Sequence, residues 1–158
     1  MKKALVAYFS ASGTTAGVAE RLARSIESDI YEIKPVVPYT KDDLKWNDKD
    51  SRSSKEMNGD IPEPEIDGTV KDIGQYDVIF LGFPIWWYRE PAIIDKFVKS
   101  YDLTGKMIVP FATSGGSNMG ECGGNIQNLA KGAVVKRGQR FDWGVMESDM
   151  SQWAKEYI

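Results

Sequence analysis

The sequence predicts an α/β protein with a doubly wound parallel sheet of five strands. Short, continuously apolar runs such as Ala4–Phe9 are typical of strands buried on both faces of a parallel sheet. Stretches with apolar residues at helical spacing follow these runs, so that strands and helices alternate along the chain. The length of 158 residues suits a single domain, residues 1–158, that folds without cross-links.

Each predicted element has its own local signal. Proline is tolerated in an edge strand and in the first turn of a helix, whereas in a central strand it removes one ladder hydrogen bond. In chain order, the elements are strand Ala4–Phe9, a helix over about 14–28, edge strand Asp29–Val36, strand Val78–Phe83, a helix opened by Pro91, strand Met107–Ala112 containing Pro110, a helix over Asn125–Lys131, a strand within Ala133–Phe141, and a final helix with Asp149 as its N-cap.

The crossover segment, residues 37–74, interrupts this alternation. Its residues 41–72 hold ten acidic and six basic side chains and few apolar ones. We expect a polar helix over Lys41–Lys55 and a loop over Asn58–Thr69. A long segment of this kind is either a solvated connection or a functional lid or docking surface. The opposite charge is concentrated in residues 131–140, which carry four basic side chains and form either a solvated surface or a partner site.

The composition excludes several classes of chemistry. The chain has no histidine, which excludes Ser-His-Asp and Cys-His triads and histidine-ligated metals. Its one cysteine, Cys122, excludes an internal disulfide and a CxxC redox pair, and is either an oxidation-sensitive thiol or a small packed residue. Redox chemistry would therefore need an organic cofactor. The net charge of −3 argues against nucleic acid or anionic membrane as a partner.

The first loop, residues 10–15, follows the first strand and opens the first helix. Its four hydroxyl side chains can donate to phosphate oxygens, Gly13 permits close backbone approach, and the helix dipole favours an anion. The loop contains no Lys or Arg, so it suits a monophosphate better than a triphosphate with Mg²⁺. The alternative is a Ser/Thr-rich N-cap with no ligand.

The second loop, residues 82–88, contains three consecutive large aromatic residues, Trp86, Trp87 and Tyr88. Successive residues diverge, so these side chains cannot all enter the core. Some aromatic surface is expected at the rim, where it would be covered by a flat partner, by a packed corner or by another protein.

The third loop, residues 113–120, follows the fourth predicted strand and is small, polar and rich in glycine. Such a segment can place backbone N–H and C=O groups along the edge of a heterocycle. Ligands in open α/β sheets bind at the carboxyl ends of the strands, which is where all three loops are expected.

The three loops resemble the flavin-binding loops of the flavodoxin family. The first loop is similar to the family's phosphate loop, and the runs Gly-Phe-Pro-Ile-Trp-Trp and Thr-Ser-Gly-Gly-Ser are similar to those of short bacterial flavoproteins. The resemblance spans essentially the whole chain. It implies a flavodoxin-like fold with strand order 2-1-3-4-5 and FMN as the cofactor.

The resemblance also implies a role for each loop, with Trp86 or Trp87 as the main contact of the flavin ring. The FMN phosphate would be bound by Ser10, Ser12, Gly13, Thr14 and Thr15, the isoalloxazine by Pro84, Ile85, Trp86, Trp87 and Tyr88, and its pyrimidine edge by Thr113, Ser114, Gly115, Gly116 and Ser117. No catalytic side chain and no metal ligand is expected.

Two departures from the family pattern bear on function. Electron-shuttling flavodoxins are strongly acidic and commonly have a glycine turn in the flavin loop, whereas this chain has a net charge of −3 and no glycine in Pro84–Tyr88. The leading hypothesis is an electron-transfer flavoprotein with a redox partner protein. The alternatives are an NAD(P)H-dependent quinone or nitro-compound reductase, and a non-redox interaction module using Trp86–Tyr88. No targeting or membrane segment is recognised, so a cytoplasmic location is expected.

Overall fold

A computed structural model describes residues 2–114 and 116–158 of the chain. Its strands are β1 (Ala4–Tyr8), β2 (Asp29–Glu32), β3 (Lys34–Pro35), β4 (Ile66–Asp67), β5 (Val78–Pro84), β6 (Met107–Thr113), β7 (Val134–Val135) and β8 (Gln139–Phe141). Its α-helices are α1 (Thr14–Ile26), α2 (Arg52–Asn58), α3 (Ala92–Lys99), α4 (Cys122–Leu129) and α5 (Glu147–Ala154). Two 3-10 turns, Asp42–Leu44 and Ile73–Gln75, complete the regular structure of the described residues.

A parallel sheet of six strands forms the centre of the fold, in the order β2-β1-β5-β6-β7, with β8 also paired to β6. The predicted fold class is confirmed. The order differs in form from the predicted 2-1-3-4-5. The predicted edge strand Asp29–Val36 is divided into β2 and β3, β4 is added as the antiparallel partner of β3, and the predicted fifth strand is also divided. The strand ends that carry the three loops lie at the carboxyl edge of the sheet.

Helices cover both faces of the sheet because successive strand residues point in opposite directions. Leu5 and Ala7 of β1 belong to a core that includes apolar residues of α3 and α4. Val6 and Tyr8 of the same strand belong to a second core with apolar residues of α1 and α5. This two-sided burial explains why the strand sequences are continuously apolar.

The predicted fifth strand within Ala133–Phe141 forms two short strands instead of one. The break between β7 and β8 lies beside the centre of β6, where Pro110 has no N–H to donate to a ladder. At the break, Gly138 has φ +83°, and a Cβ on this residue would lie 2.4 Å from the Pro110 carbonyl oxygen. Glycine therefore permits the close approach of the two segments.

The crossover segment contains less helix than predicted. The polar helix expected over Lys41–Lys55 is wrong, since only the Asp42–Leu44 turn and α2 form. α2 begins after Ser51, whose hydroxyl accepts a hydrogen bond from the Ser54 N–H at 3.3 Å, and it ends at Gly59 with φ +80°. These caps, together with the turn-forming residues that precede them, restrict the helix to two turns.

The starts of two later helices also differ from the predictions. α4 begins at Cys122, three residues before the expected Asn125. The expected cap Asp149 is wrong: α5 begins after Met146, and Asp149 lies in its first turn, where its charge faces the positive end of the helix dipole. Within the described ranges, no helix is long and apolar enough to cross a bilayer.

The Gly82→Ala substitution should destabilise the fold, because Gly82 of β5 faces Phe111 of β6. A Cβ at residue 82 would lie 2.2 Å from the Phe111 Cζ atom, and that ring is fully buried. We expect the free energy of unfolding to fall by about 1–3 kcal/mol, as for other overpacked cores. Urea unfolding followed by circular dichroism measures this change.

The matched control is Gly17→Ala within α1, where a Cβ would meet no atom within 4 Å. This variant should gain roughly 0.5–1 kcal/mol, because alanine favours the helix. Equal effects of the two substitutions would show that Phe111 does not restrict residue 82.

Candidate functional site

The three loops meet at the carboxyl edge of the sheet, and hydrogen bonds join them. The Ile85 N–H donates to the Thr113 carbonyl at 3.0 Å, which links the second loop to the third. The hydroxyls of Thr15 and Thr113 lie 2.8 Å apart and are hydrogen-bonded, which links the first loop to the third. The Glu121 N–H, directly after the third loop, donates to the Tyr88 carbonyl at 3.2 Å. The three predicted loops therefore form one connected surface.

The first loop is held in shape by Ser10. Its hydroxyl oxygen accepts hydrogen bonds from the N–H groups of Gly13 and Ala16, both at 3.1 Å. Gly13 has φ +97°, and a Cβ there would meet no atom within 4 Å. The loop thus leaves open space beside the amino end of α1, as a bound anion would require.

The remaining residues of the first loop divide into two groups. Ser12, Gly13 and Thr14 line an open groove of about 690 Å³. Thr15 is buried, and its hydroxyl is directed to Thr113, so it joins loops. Ser10 therefore acts as a local cap, while phosphate binding by the accessible groove residues stays a prediction.

Arg21 and Trp143 also line this groove, and the sequence did not point to either. Arg21 lies four residues after Gly17 in α1, which places both on one helix face. Its guanidinium donates to the carbonyls of Trp143 at 2.5 Å and Val145 at 2.6 Å. Arg21 therefore fastens residues 143–145 beside the first loop and leaves the exposed Trp143 ring at the groove.

The second loop ends in a hairpin turn with an unusual backbone. Trp86 and Arg89 exchange two backbone hydrogen bonds, of 3.0 and 3.2 Å. The two residues between them, Trp87 and Tyr88, have φ of +51° and +63°. Such turns normally contain Asn or Gly at these positions, and each strained residue costs on the order of 1–3 kcal/mol.

The side chains of the second loop occupy different environments. Trp86 is half-buried and packs edge-on against Phe9 and Tyr39, with centroid distances of 5.8 and 5.6 Å. Trp87 and Tyr88 are 43% and 64% exposed. Pro84 ends β5, and Ile85 holds the loop to Thr113. Of the aromatic residues that the sequence singled out, Trp87 and Tyr88 offer free ring surface.

A second groove, of about 290 Å³, lies between Trp87 and Trp46 of the crossover segment. Trp46 is 73% exposed, and Met57 and Arg89 are among the other lining residues. Two indole rings beside a narrow space suit a flat aromatic ligand. Sequence reasoning missed Trp46, although a tryptophan in a polar segment was an available signal.

The crossover segment is fixed to this edge of the sheet by Tyr39. The Arg52 guanidinium lies 3.9 Å from the Tyr39 ring centroid, and the Tyr39 hydroxyl donates to the buried Glu56 carboxylate at 2.5 Å. Burial and this hydrogen bond raise the pKa of Tyr39 well above its ordinary value. The segment is therefore packed at the site and is not simply a solvated connection.

The third loop is anchored at both ends. Arg140 donates to the Ser114 hydroxyl at 2.8 Å and to the Ser114 carbonyl at 3.2 Å. A Cβ on Gly120, which has φ +54°, would lie 2.0 Å from the Tyr88 carbonyl oxygen. Gly116 is exposed and Ser117 half-buried, whereas Gly115, also predicted to contact a cofactor, lies outside the described residues.

Buried charged groups lie behind the second loop. Glu90 is fully buried and Asp95 is 8% exposed, and both contact the Arg89 guanidinium. Cys122 is also buried here, and burial and then the charge of Glu90 raise the pKa of its thiol to about 12. Cys122 is therefore better explained as a small packed residue than as an oxidation-sensitive thiol.

Apart from Arg21, whose guanidinium donates to backbone carbonyls, the site offers neutral donors and aromatic surface. The groove residues of the first loop present hydroxyl and amide groups, and the second loop presents rings. Among residues 2–114 and 116–158, no group of three or more acidic or cysteine side chains is placed to hold a metal ion. Such a site can hold an anion and a flat ring, while the reacting group would come from the bound molecule.

Solved structures of similar fold include several flavoproteins. A candidate flavoprotein from Bacteroides eggerthii is 43% identical, with a TM-score of 0.90 over 99% of this chain and 98% of that chain. A flavoprotein from Lactobacillus acidophilus in complex with FMN is 25% identical, with a TM-score of 0.70 over 98% of this chain and 99% of that chain. A flavodoxin from the Archaea, 19% identical over 97% of this chain and 92% of that chain, has a TM-score of 0.59 and shares the fold.

No curated protein matches the sequence. The family model described as flavodoxin matches residues 3–157, which is nearly the whole chain. It covers all three loops and the sheet edge that they share. The chain belongs to the flavodoxin family.

Proposed function

We propose that the protein binds FMN and carries electrons between redox partners, as an electron-transfer flavoprotein. The observation that carries this proposal is the joining of the three loops at Thr113. It brings the uncharged first loop, an exposed aromatic pair and a glycine-rich loop to one edge of the sheet, and α/β proteins bind nucleotides at such an edge. The flavodoxin family membership and the FMN complex of the 25% identical relative support the same cofactor.

The phosphate of FMN fits the first loop. Ser12, Gly13 and Thr14 line the groove, and no side chain occupies the space beside Gly13. The amino end of α1 supplies further N–H groups and a favourable dipole. Ser10 and Thr15 would act through the shape of the loop, because their hydroxyls bond within the protein.

The ring of FMN fits beside Trp87. This side chain is exposed, whereas Trp86 is held edge-on by Phe9 and Tyr39. Trp46 faces the same groove from the crossover segment and would cover the ring from the other side. Ser114, Gly116 and Ser117 of the third loop would lie along the pyrimidine edge.

Bound FMN supplies reversible electron or hydride transfer. The protein's residues bind the phosphate, orient the ring and exclude water from its covered face. No histidine is present in the chain to act as a general acid. The hydroxyl and amide donors of the loops fit a protein that binds FMN and carries electrons to a redox protein in the cytoplasm.

An NAD(P)H-dependent quinone or nitro-compound reductase is the second candidate. A groove of about 1,140 Å³ extends from Asn118 and Gly120 of the third loop to Lys136 and Arg137. These two cations form none of the ion pairs found among the described residues, so they are available to an anionic dinucleotide. A non-redox interaction module would have to use Trp87 and Tyr88 alone, because Trp86 is packed inward.

Gly13→Val should weaken FMN binding. Valine disfavours φ +97° and places methyl groups in the space proposed for the phosphate. Each lost hydrogen bond to a charged group contributes roughly 1.5–3 kcal/mol, so we expect a loss of about tenfold or more in FMN affinity. The affinity of the variant for riboflavin, which has no phosphate, should fall only slightly. Quenching of flavin fluorescence measures both.

Gly59→Val provides the control for Gly13→Val. Gly59 has φ +80° and equally open surroundings, but it ends α2, away from the first loop. This variant should suffer similar backbone strain and keep its preference for FMN over riboflavin. An unchanged FMN affinity of Gly13→Val would mean that the first loop is only a helix cap.

Trp87→Ala should weaken binding of FMN and riboflavin alike, since both contain the ring. Loss of one aromatic contact costs about 1 kcal/mol, or roughly a fivefold change in affinity. Val134→Ala, which truncates an exposed apolar residue of β7 at the sheet edge, should leave both affinities unchanged. A selective loss of FMN binding in Trp87→Ala would place Trp87 at the phosphate instead.

Reduction and reoxidation of the FMN-loaded protein test the carrier function. After anaerobic reduction by dithionite, mixing with cytochrome c should reoxidise the protein in a single stoichiometric phase. Sustained consumption of NADPH with a naphthoquinone would instead establish the reductase. A protein that binds neither FMN nor riboflavin would contradict both functions.

A further inference from the structure

Two buried carboxylates share one guanidinium directly behind the second loop. Arg89 donates to Asp95 at 2.7 Å and to Glu90 at 3.1 Å. The amide of Asn125, in α4, donates to the other oxygen of Glu90 at 3.1 Å. Glu90 and Asp95 are here called the acid pair. Glu90 directly follows the turn, and Asp95 lies in the first turn of α3.

One guanidinium cannot neutralise two buried carboxylates, so the acid pair requires a proton. Burial, and then hydrogen bonding to Glu90, raise the pKa of Asp95 to about 8. The Asp95 Oδ1 atom is buried and accepts no hydrogen bond from the described residues. A proton on Asp95, donated to Glu90, leaves one negative charge opposite Arg89 at neutral pH.

The acid pair is connected to the strained turn through Arg89. Arg89 closes the turn by exchanging backbone hydrogen bonds with Trp86. Between them lie Trp87 and Tyr88, with positive φ. Strained residues persist only where the surrounding structure holds them in place. Here the turn is held by Arg89 and by the hydrogen bond from the Glu121 N–H to the Tyr88 carbonyl.

We propose that Glu90 and Asp95 are positioning residues for the flavin ring: by sharing one proton they hold Arg89, and Arg89 holds the turn that presents Trp87 and Tyr88. This inference rests on the proposed FMN site and assigns it a proton-dependent support. Neither carboxylate lines the groove between Trp46 and Trp87 in which the ring is proposed to bind. Loss of the proton removes the Asp95–Glu90 hydrogen bond and leaves two negative charges facing each other, and their repulsion drives apart the two carboxylates that hold Arg89.

The other charged groups around the acid pair are few among the described residues. Glu63 of the crossover segment adds to the rise in the pKa of Asp95, and it is paired with Lys99 of α3 at 2.7 Å. Cys122 faces the cluster from α4 and keeps its proton because its pKa is about 12. The change expected near pH 8 is therefore assigned to Asp95.

The direction of the pH effect follows from the raised pKa. The folded protein holds a proton on Asp95 that the unfolded chain releases near pH 3.8. This contribution to stability is complete below pH 3.8 and is lost as pH rises to about 8. In the folded protein Asp95 ionises around pH 8, so the turn should lose its fixed conformation as pH rises through that value.

Asp95→Asn tests the inference, because asparagine remains neutral and can still donate to Glu90. For the natural protein, we expect FMN and riboflavin affinity to fall about tenfold between pH 7 and pH 9.5. Asp95→Asn should bind with nearly constant affinity over that range. Asp102→Asn, which alters an exposed carboxylate, should follow the natural protein.

NMR of the FMN-free protein gives a second readout that requires no flavin. The backbone amides of Trp87 and Tyr88 should titrate with a midpoint near pH 8 in the natural protein, but not in Asp95→Asn. Amide chemical shifts that do not change with pH would overturn the positioning role. An equal loss of FMN affinity in the natural protein and in Asp95→Asn would do the same. Failure of the natural protein to bind FMN at pH 7 would instead contradict the proposed function, and the amide titration would still decide this inference.

Discussion

The site depends on the hydrogen bonds at the end of β6. Thr113 is buried there, its carbonyl accepts from Ile85 and its hydroxyl bonds to Thr15. One residue can reach both neighbouring loops because the parallel ladders bring the carboxyl ends of β1, β5 and β6 to the same edge. Apolar burial on both faces of the sheet fixes that register, since a slip of one residue would invert every side chain. The placement of the loops is thus a consequence of core packing.

The second loop combines exposure with rigidity. Free aromatic residues on a flexible loop would lose conformational entropy on binding a ring. Trp87 and Tyr88 instead lie in a turn whose ends are fixed by backbone hydrogen bonds and by Arg89. Their strained backbone is tolerated because the backbone hydrogen bonds between Trp86 and Arg89, and that from Glu121 to the Tyr88 carbonyl, fix it. Strain at this point is compatible with a site that holds its ligand in one orientation.

The crossover segment shows how a polar, acidic sequence can still be structured. Its fixed part is a small cluster in which Arg52 pairs with Glu56 at 2.9 Å and lies over Tyr39. Tyr39 in turn packs on Phe9, at the end of β1. The cluster places the exposed Trp46 near the second loop, although nothing in the local sequence links these two positions. Buried polar groups with partners replace the apolar anchors that the segment lacks.

Hydrophobic periodicity alone determined the fold class, most of the central strands and the sheet edge where the loops meet. It could do so because strands buried on both faces of a sheet must be continuously apolar in sequence. Loop chemistry indicated the candidate residues for an anion-binding surface and for an aromatic surface. Tertiary structure decided which of them stay accessible: Thr15 and Trp86 are used internally, while Ser12 and Trp87 face outward. The tertiary structure also placed Arg21 and Trp46 at the site and the acid pair behind the second loop. Their roles depend on contacts between residues far apart in the chain, which local pattern cannot encode.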